Sequence, residues 1–262
     1  MSAVSTAITR AFDILEAIAE RERGMTTSEV SRRLGIPKSS ASYILHTLEQ
    51  RGYLKRQATT RRYQLSLKIL NITRHLLADL DIRELARPTL RELVEQSGLT
   101  AHLAVLDQGE AVYIEKIEAP GFVRMNTWIG RRLPVHSTSV GKALVAYLDE
   151  ATVKALIKER GLRKQTPKTI ASCAEFMHEL ARVREHGFAI DDEENSLGVR
   201  CVAAPVFDAA GCVVASIGVT GTTTQNDLRR LPRTATLVKE AARKLSQQLG
   251  YRSPRRSLGA PH

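Results

Sequence analysis

Hydrophobic positions at the start of the chain have the spacing of consecutive amphipathic helices. The first segment ends near Gly24 and repeats apolar residues every three or four positions, at Ile8, Ala11, Ile14, Leu15 and Ile18. Thr26 and Glu29 then have the spacing of a capping box, which predicts a second helix over residues 27–34. The pattern therefore predicts two helices before residue 35.

A third helix is predicted from about Lys38 to Arg51. It follows Gly35, which can take the left-handed conformation of a helix end, and Pro37, which suits the start of a new helix. Two short helices joined by a tight turn that contains glycine form a helix-turn-helix, and its second helix enters the major groove of DNA.

The third helix divides into an apolar and a polar face. The apolar positions, Ala41, Ile44, Leu45 and Leu48, recur at helical spacing and should pack inward. The opposite face has small polar residues and one aromatic, with no acid before Glu49: Ser39, Ser40, Ser42, Tyr43, His46 and Thr47. We expect Ser39, Ser40, Ser42, Tyr43 and His46 to contact base edges and Lys38 to contact phosphate.

A basic β-hairpin is predicted after the third helix. Tyr53 and Leu54 begin one strand, residues 58–60 form the turn, and Tyr63 and Leu65 mark the returning strand. Lys55, Arg56, Arg61 and Arg62 lie near its tip, where a DNA-binding wing contacts phosphates, and Arg61 and Arg62 are the candidates for that contact. The alternative is a solvated basic loop.

The remaining pattern predicts a linker and a larger α+β domain. Residues 66–80 have an apolar seam typical of a helix, and another helix should begin at Arg87-Pro88 and stop at Gly98. Alternating stretches predict antiparallel strands at 101–107, 111–119, 122–128, 188–193, 199–208 and 212–221. Helices are expected at 139–148, 150–159, 171–187 and 226–249.

Charge separates the two parts of the chain. The net charge is +11, of which residues 1–80 carry +6 and residues 81–250 only +2, while the tail from Tyr251 adds three arginines. This asymmetry favours an N-terminal part that meets a polyanion, although a contribution to solubility alone is the alternative. The absence of a long apolar stretch or signal peptide predicts a cytoplasmic protein that does not enter a membrane. The three cysteines give no disulfide framework.

Residues 4–75 resemble the winged helix-turn-helix of IclR-type bacterial transcription regulators. The matching stretches are TTSEVSRRLGIPKSS, HTLEQRGYLKR and RRYQLSLKIL. Tyr43 departs from the family, whose members often have Arg or another long donor there, so base readout should differ. The resemblance continues in PVHSTSVGKALVAYL and in the spacing of Gly187, Asp191, Glu194 and Cys201, and it covers roughly residues 4–250.

The resemblance implies four segments and a function. Residues 1–66 would be the DNA-binding domain, 67–81 a linker helix, 82–250 a GAF-like effector-binding domain with an antiparallel sheet flanked by helices, and 251–262 a basic disordered tail. Family members mostly form homodimers or tetramers that repress or activate catabolic operons. We therefore expect a repressor that binds a pseudo-palindromic double-stranded DNA operator with a second copy of itself and senses a small organic acid, without a cofactor.

The effector pocket can be approached from the residues themselves. Ser137–Gly141 opens a helix, whose free amides and dipole can hold a carboxylate, although ordinary N-capping explains the same residues. Asp191 and Cys201 fall on neighbouring predicted strands and can face one cavity. Their alternatives are a surface cap or ion pair for Asp191 and a small core residue for Cys201.

The resemblance assigns further positions to the pocket. The effector would bind the amides of Ser139 and Val140 and the side chains of Asp191 and Cys201. Two family hydroxyls match Gly218 and Thr220, and apolar wall positions match Met125, Leu133 and Phe122, for which core packing is the alternative. Because Gly218 has no hydroxyl and leaves space, we expect a branched or aromatic acid rather than pyruvate or glyoxylate.

Two other classes of function remain as alternatives. Cys201 could act as an enzyme's nucleophile with His136 or His186 as base, but no local signature supports it. Gly141-Lys142 lacks the glycine and the hydroxyl of a phosphate-binding loop, and Cys173 and His178 lie on different helix faces, which disfavours a metal site. A non-specific architectural DNA-binding protein would explain the charge but leaves the large C-terminal domain without a role.

Overall fold

The computed structural model describes residues 6–72, 81–122 and 124–252. The chain divides into two units, Met1–Leu80 and Asp81–His262. Most of the predicted linker helix lies outside the described residues, which show helix over 68–72. Residues 253–262 of the predicted disordered tail also lie outside them.

The N-terminal unit is built from three helices and a two-stranded hairpin. Its elements are α1 (Thr6–Ala19), α2 (Thr27–Leu34), α3 (Lys38–Gln50), β1 (Leu54–Arg56) and β2 (Tyr63–Leu65). β1 and β2 pair antiparallel, with Leu54 opposite Leu65. Ile14, Ile18, Val30 and Leu45 are fully or almost fully buried in the core between the helices. α1 ends earlier than predicted, and Ile8 is exposed rather than part of that core.

Local sequence signals set the turn between α2 and α3. Thr26 and Glu29 form the reciprocal capping box that their spacing predicts, and α2 has the predicted bounds. Gly35 ends α2 in the left-handed conformation with φ 62°, which glycine adopts without a steric penalty. The Ser31 hydroxyl donates to the Ile36 carbonyl at 2.7 Å and fixes the turn.

The C-terminal unit contains a six-stranded antiparallel sheet in the order β5-β4-β3-β8-β7-β6. Its strands are β3 (Thr100–Asp107), β4 (Glu110–Ile117), β5 (Arg132–Leu133), β6 (Ala189–Asp192), β7 (Val199–Phe207) and β8 (Val213–Thr222). Its helices are α4 (Asp81–Ser97), α5 (Ser139–Val145), α6 (Glu150–Arg160), α7 (Cys173–His186) and α8 (Leu231–Gln248). This confirms an α+β architecture.

Helices cover both faces of the sheet. β8 is buried at every position from Ala215 to Gly221, although successive side chains point to opposite faces. The Ser216 hydroxyl donates to the Val140 carbonyl at 3.1 Å, so α5 lies on the face that Ser216 shares with Gly218 and Thr220. α4 and α8 pack against each other and against the sheet, and they account for the burial of the other face.

Two predicted elements of this unit are wrong, and the closing helix begins at Leu231 rather than at residue 226. The helix expected to begin at Arg87-Pro88 begins earlier, and Pro88 lies inside α4. Ala86 and Leu90 on either side of Pro88 are completely buried, so packing outweighs the roughly 3 kcal/mol cost of an internal proline.

The strand expected at 122–128 is not formed by the described residues of that segment. Its alternating pattern reflects alternating burial without the hydrogen bonds of a strand, since Met125 and Thr127 are half-buried while their neighbours are exposed. The Lys116 ammonium donates to the carbonyls of Met125 at 3.3 Å and Thr127 at 2.7 Å. At this edge of the sheet, β5 pairs with β4 instead.

Candidate functional site

The outer face of α3 is a polar surface with one projecting aromatic ring. Lys38, Ser39, Ser42, Tyr43 and His46 are exposed there, and the predicted base-contact residue Ser40 is half-buried. The Tyr43 side chain is 75% exposed, although tyrosine normally buries much of its ring. Ala41 and Leu45 on the inner face are completely buried, so the helix is held firmly while its outer face remains available.

The hairpin places its two predicted phosphate-binding arginines in different surroundings. Arg61 is exposed at the turn, with φ 55°. The Arg62 guanidinium instead makes a bidentate ion pair with Glu29, at 2.9 and 2.8 Å, and donates to the Gly24 carbonyl at 2.9 Å. Lys55 and Arg56 on β1 are exposed beside Arg61. The exposed cations of the hairpin are therefore Lys55, Arg56 and Arg61.

A cavity of about 200 Å³ lies between the sheet, the start of α5 and the segment before β5. Seven of the eight predicted effector-binding residues line it: Met125, Leu133, Ser139, Val140, Asp191, Cys201 and Thr220. A cavity of about 150 Å³ suffices for a molecule of the size of benzene, so this one has room for a small organic acid. It is smaller than the pockets that hold drug-sized ligands.

Three polar cavity residues form one row across the sheet. Asp191 pairs with Cys201 between β6 and β7, and Cys201 pairs with Thr220 between β7 and β8. Opposite this row, α5 begins after Thr138, whose hydroxyl accepts the Gly141 amide at 3.2 Å. The first amides of a helix, here Ser139 and Val140, have no acceptor within it and can bind a carboxylate.

Burial alters the acid–base properties of this row. Burial raises the pKa of Asp191 to about 7, although its Oδ1 accepts the amides of Glu194 at 2.8 Å and Asn195 at 3.2 Å. Near neutral pH, Asp191 therefore exists in both charge states, and its protonated form can donate to a ligand. Burial also raises the pKa of Cys201, which disfavours the thiolate that a nucleophile requires.

Gly218 was predicted to belong to the effector site, but it does not line the cavity. A Cβ atom there would lie 2.6 Å from the Val202 carbonyl oxygen and 2.7 Å from the Ala203 Cβ. Close packing of β7 against β8 therefore occupies the space that Gly218 was expected to leave for a larger ligand. Phe122, another expected wall residue, is fully exposed and does not line the cavity either.

Sequence reasoning missed the cavity's other polar wall. Tyr113 is buried there and stacks on the buried His102, with ring centroids 4.3 Å apart. The His102 Nε2 lies 2.8 Å from the Thr127 hydroxyl, and Thr127 and Arg131 also line the cavity. The alternation of β4 could have pointed to Tyr113, but no pattern in the sequence links it to the loop after Ile117.

Within 6–72, 81–122 and 124–252, no group of three or more His, Cys, Asp and Glu side chains is placed to hold a metal ion. No helix in the same ranges is sufficiently long and apolar to span a bilayer.

Comparison with known families assigns both units. A family model described as the IclR helix-turn-helix domain matches residues 7–58, and one described as the bacterial transcriptional regulator IclR C-terminal domain matches residues 74–247. The chain belongs to the IclR family. It is a DNA-binding transcription regulator rather than an enzyme, and the alternative of a Cys201-dependent enzyme is set aside.

Individual IclR-family relatives match over nearly the whole chain. The Escherichia coli strain K12 HTH-type transcriptional regulator XynR is 37% identical over 93% of this chain and 97% of its own. The transcriptional repressor IclR of the same organism is 31% identical over 93% of this chain and 89% of its own. The Thermotoga maritima IclR crystal structure has a TM-score of 0.79 at 30% identity and covers 93% of this chain and 98% of its own.

Proposed function

We propose that this IclR-family protein is a repressor of a catabolic operon that a small organic acid controls through the C-terminal cavity. The observation that carries the proposal is the row of Asp191, Cys201 and Thr220 facing the first amides of α5 across the cavity. Residues 1–66 would bind DNA, 67–81 would link, and 82–250 would bind the effector. Repression agrees with the name of one relative, the E. coli transcriptional repressor IclR.

The DNA contacts are divided between α3 and the hairpin. One exposed face of α3 would contact base edges through Ser39, Ser42, Tyr43 and His46. Ser40 would contact bases from its half-buried position. Lys38 and Arg61 would contact phosphates, which supply affinity without sequence information. Arg62 would contribute indirectly by fixing the hairpin through Glu29.

Self-association would match this surface to a pseudo-palindromic operator. Ile8 and Phe12 lie one turn apart on α1 and are 60% and 59% exposed, and Leu67 of the same unit is 82% exposed. Exposed apolar residues at helical spacing favour burial against a second copy. A homodimer is the smallest assembly that presents two α3 helices, and two dimers would give a tetramer.

The cavity favours a compact acid. A carboxylate would accept from the amides of Ser139 and Val140, while Asp191 and Thr220 would bind its other polar atoms, and Met125 and Leu133 would contact its carbon atoms. Since Gly218 provides no extra room, it gives no reason to prefer a branched or aromatic acid, and we favour a compact acid that fits about 200 Å³.

Fluorescence anisotropy with labelled DNA from upstream of the protein's own gene tests this proposal. Glyoxylate, pyruvate and benzoate are the titrants, and we expect one of the two smaller acids to weaken operator binding about tenfold. Asp191→Ala should retain operator binding and lose this response. An Asp191→Ala protein that responds normally would contradict the assignment of Asp191, and a wild-type protein that responds only to benzoate would contradict the preference for a compact acid.

A further inference from the structure

A buried ion cluster lies directly behind the effector cavity. Lys142 of α5 is completely buried, and its ammonium is 2.7 Å from the Glu194 Oε1 and 3.1 Å from the Glu179 Oε1. Neither Lys142 nor Glu194 lines the cavity. A buried lysine needs such partners, because an unpaired charge in the interior costs several kcal/mol.

Glu194 connects this cluster to the effector-binding row. Its backbone amide donates to the Asp191 Oδ1 at 2.8 Å, while its side chain binds Lys142 one turn after Ser139. Its carbonyl accepts from the hydroxyls of Thr166 at 3.3 Å and Thr169 at 2.6 Å. One residue therefore joins both walls of the cavity, the helix that carries the amides and the strand that carries the carboxyl group.

One carboxylate oxygen of the cluster has no partner. Two carboxylates meet one buried ammonium, and the exposed Arg182 guanidinium lies 3.4 Å from the Glu179 Oε2 as a second cation. The second oxygen of Glu194, Oε2, is buried without a hydrogen-bond partner among the described residues, which costs stability. The Glu194 carboxylate lies beside Asp191 and opposes its ionisation.

We propose that Glu194 is a positioning residue for the effector pocket, which orients Asp191 and the start of α5 together and sets the charge state of Asp191 without touching the effector. This inference rests on the proposed effector pocket. The charged or titratable groups around Asp191 in the described residues come from five elements: Lys142 from α5, Cys201 from β7, Tyr113 from β4, Glu194 from the turn after β6, and Arg131, which lines the same cavity just before β5.

The electrostatic effects have opposite signs. Glu194 raises the pKa of Asp191 and Lys142 lowers it, in addition to the larger effect of burial, which raises it. Glu194→Gln keeps the backbone amide and a side-chain oxygen for Lys142 but removes the negative charge. Asp191 should then ionise at lower pH, by about one pH unit for the loss of a nearby charge.

The test is a carbon-13 NMR titration of the full-length protein labelled at the aspartate carboxyl carbons. The Asp191 signal is identified by its loss in Asp191→Asn. We expect a wild-type midpoint near pH 7 and a lower midpoint in Glu194→Gln. Glu179→Gln removes the other carboxylate that binds Lys142, and it should lower the midpoint by less. Glu185→Gln removes a charge from an exposed position of α7 and should change nothing.

An unchanged midpoint in folded Glu194→Gln protein would overturn the inference. If that variant does not fold, Glu179→Gln decides, and an unchanged midpoint there overturns it equally. A purely structural role for Glu194 would alter the melting temperature without moving the Asp191 midpoint. Because the titration uses no effector, its failure is distinguishable from failure of the proposed function, which would show as loss of the response to acids.

Discussion

Arg62 in the hairpin and Glu29 in the first turn of α2 form a bidentate ion pair that joins the wing to the helix-turn-helix. The carboxylate also accepts the Thr26 amide at 2.7 Å, so one side chain serves both the capping box and the hairpin. Hydrogen bonds from Thr26 and Arg62 hold the pKa of Glu29 below its ordinary value. Arg61, one residue earlier, has no such role and faces solvent.

Substituting the two arginines should therefore give different results. Arg61→Ala should leave the melting temperature unchanged and reduce the slope of log affinity against log salt by about one, because one phosphate contact is lost. Arg62→Ala should cost roughly 1 kcal/mol of stability, a value appropriate to a partly exposed ion pair. Thermal unfolding and DNA titrations over a range of salt concentrations check both.

A double-mutant cycle isolates the pair. If Arg62 acts through Glu29, Arg62→Ala should add less destabilisation in a Glu29→Ala background than in the wild type. Strict additivity of the two effects, together with an unchanged stability in Arg62→Ala, would indicate that Arg62 contacts phosphate directly.

Tyr43 should contribute to specificity more than to general DNA affinity. Its ring is largely exposed on the outer face of α3, so Tyr43→Ala should not alter the melting temperature. We expect a loss of about 1–3 kcal/mol on the specific operator and little change on a scrambled duplex. Tyr43→Phe is the matched control that separates the hydroxyl from the ring. Equal losses on both duplexes would indicate that Tyr43 contacts only the DNA backbone.

Asp191 should reduce stability at alkaline pH. Its folded pKa of about 7 lies above the ordinary value of 3.8, so folding favours the protonated form. Stability from this group is complete below about pH 4 and is lost as the pH rises through about 7. Asp191→Asn should therefore stabilise the protein at pH 8 relative to pH 5, by on the order of 2–4 kcal/mol.

Denaturant unfolding at several pH values checks this prediction. Asp227→Asn is a suitable control, because backbone hydrogen bonds from Arg230 and Arg229 hold the pKa of Asp227 below its ordinary value. Any pH dependence of its effect should have the opposite sign. A pH-independent effect of Asp191→Asn would mean that Asp191 ionises normally in the folded state.

A side chain at Gly218 should destabilise the protein, although the family pattern implies a hydroxyl at this position. Gly218→Ser places a Cβ against the Val202 carbonyl and Ala203, so we expect overpacking to cost about 1–3 kcal/mol. Thr220→Ser, two residues along the same strand, serves as control and should be milder, because Thr220 borders the cavity. A Gly218→Ser protein with wild-type stability and altered effector preference would restore Gly218 to the site.

Local signals explain what the sequence could predict. The bounds of α2 follow from Thr26, Glu29 and Gly35, whose effects act within one helical turn. The row of Asp191, Cys201 and Thr220 follows from strand alternation once the neighbouring strands are known. In these cases a short-range rule decides the structure.

Long-range contacts explain what the sequence could not predict. The placement of Arg62 depends on Glu29, 33 positions earlier, and the space at Gly218 depends on how closely β7 packs on β8. The segment at 122–128 alternates in burial like a strand, but its carbonyls bind the side chain of Lys116 instead of a neighbouring strand. In each case the residue type gives the charge or the volume of the side chain, and only the folded structure determines which group it contacts.

We propose that this chain couples sequence-specific DNA binding to the binding of an acid in the C-terminal cavity. A footprint on the DNA upstream of its own gene, at physiological salt with excess competitor DNA, tests it most directly when repeated with pyruvate and glyoxylate. We predict a bounded, roughly symmetric protected site that one of these acids releases in the wild type but not in Asp191→Ala. Diffuse protection that disappears with modest salt, and that neither acid changes, would contradict the account.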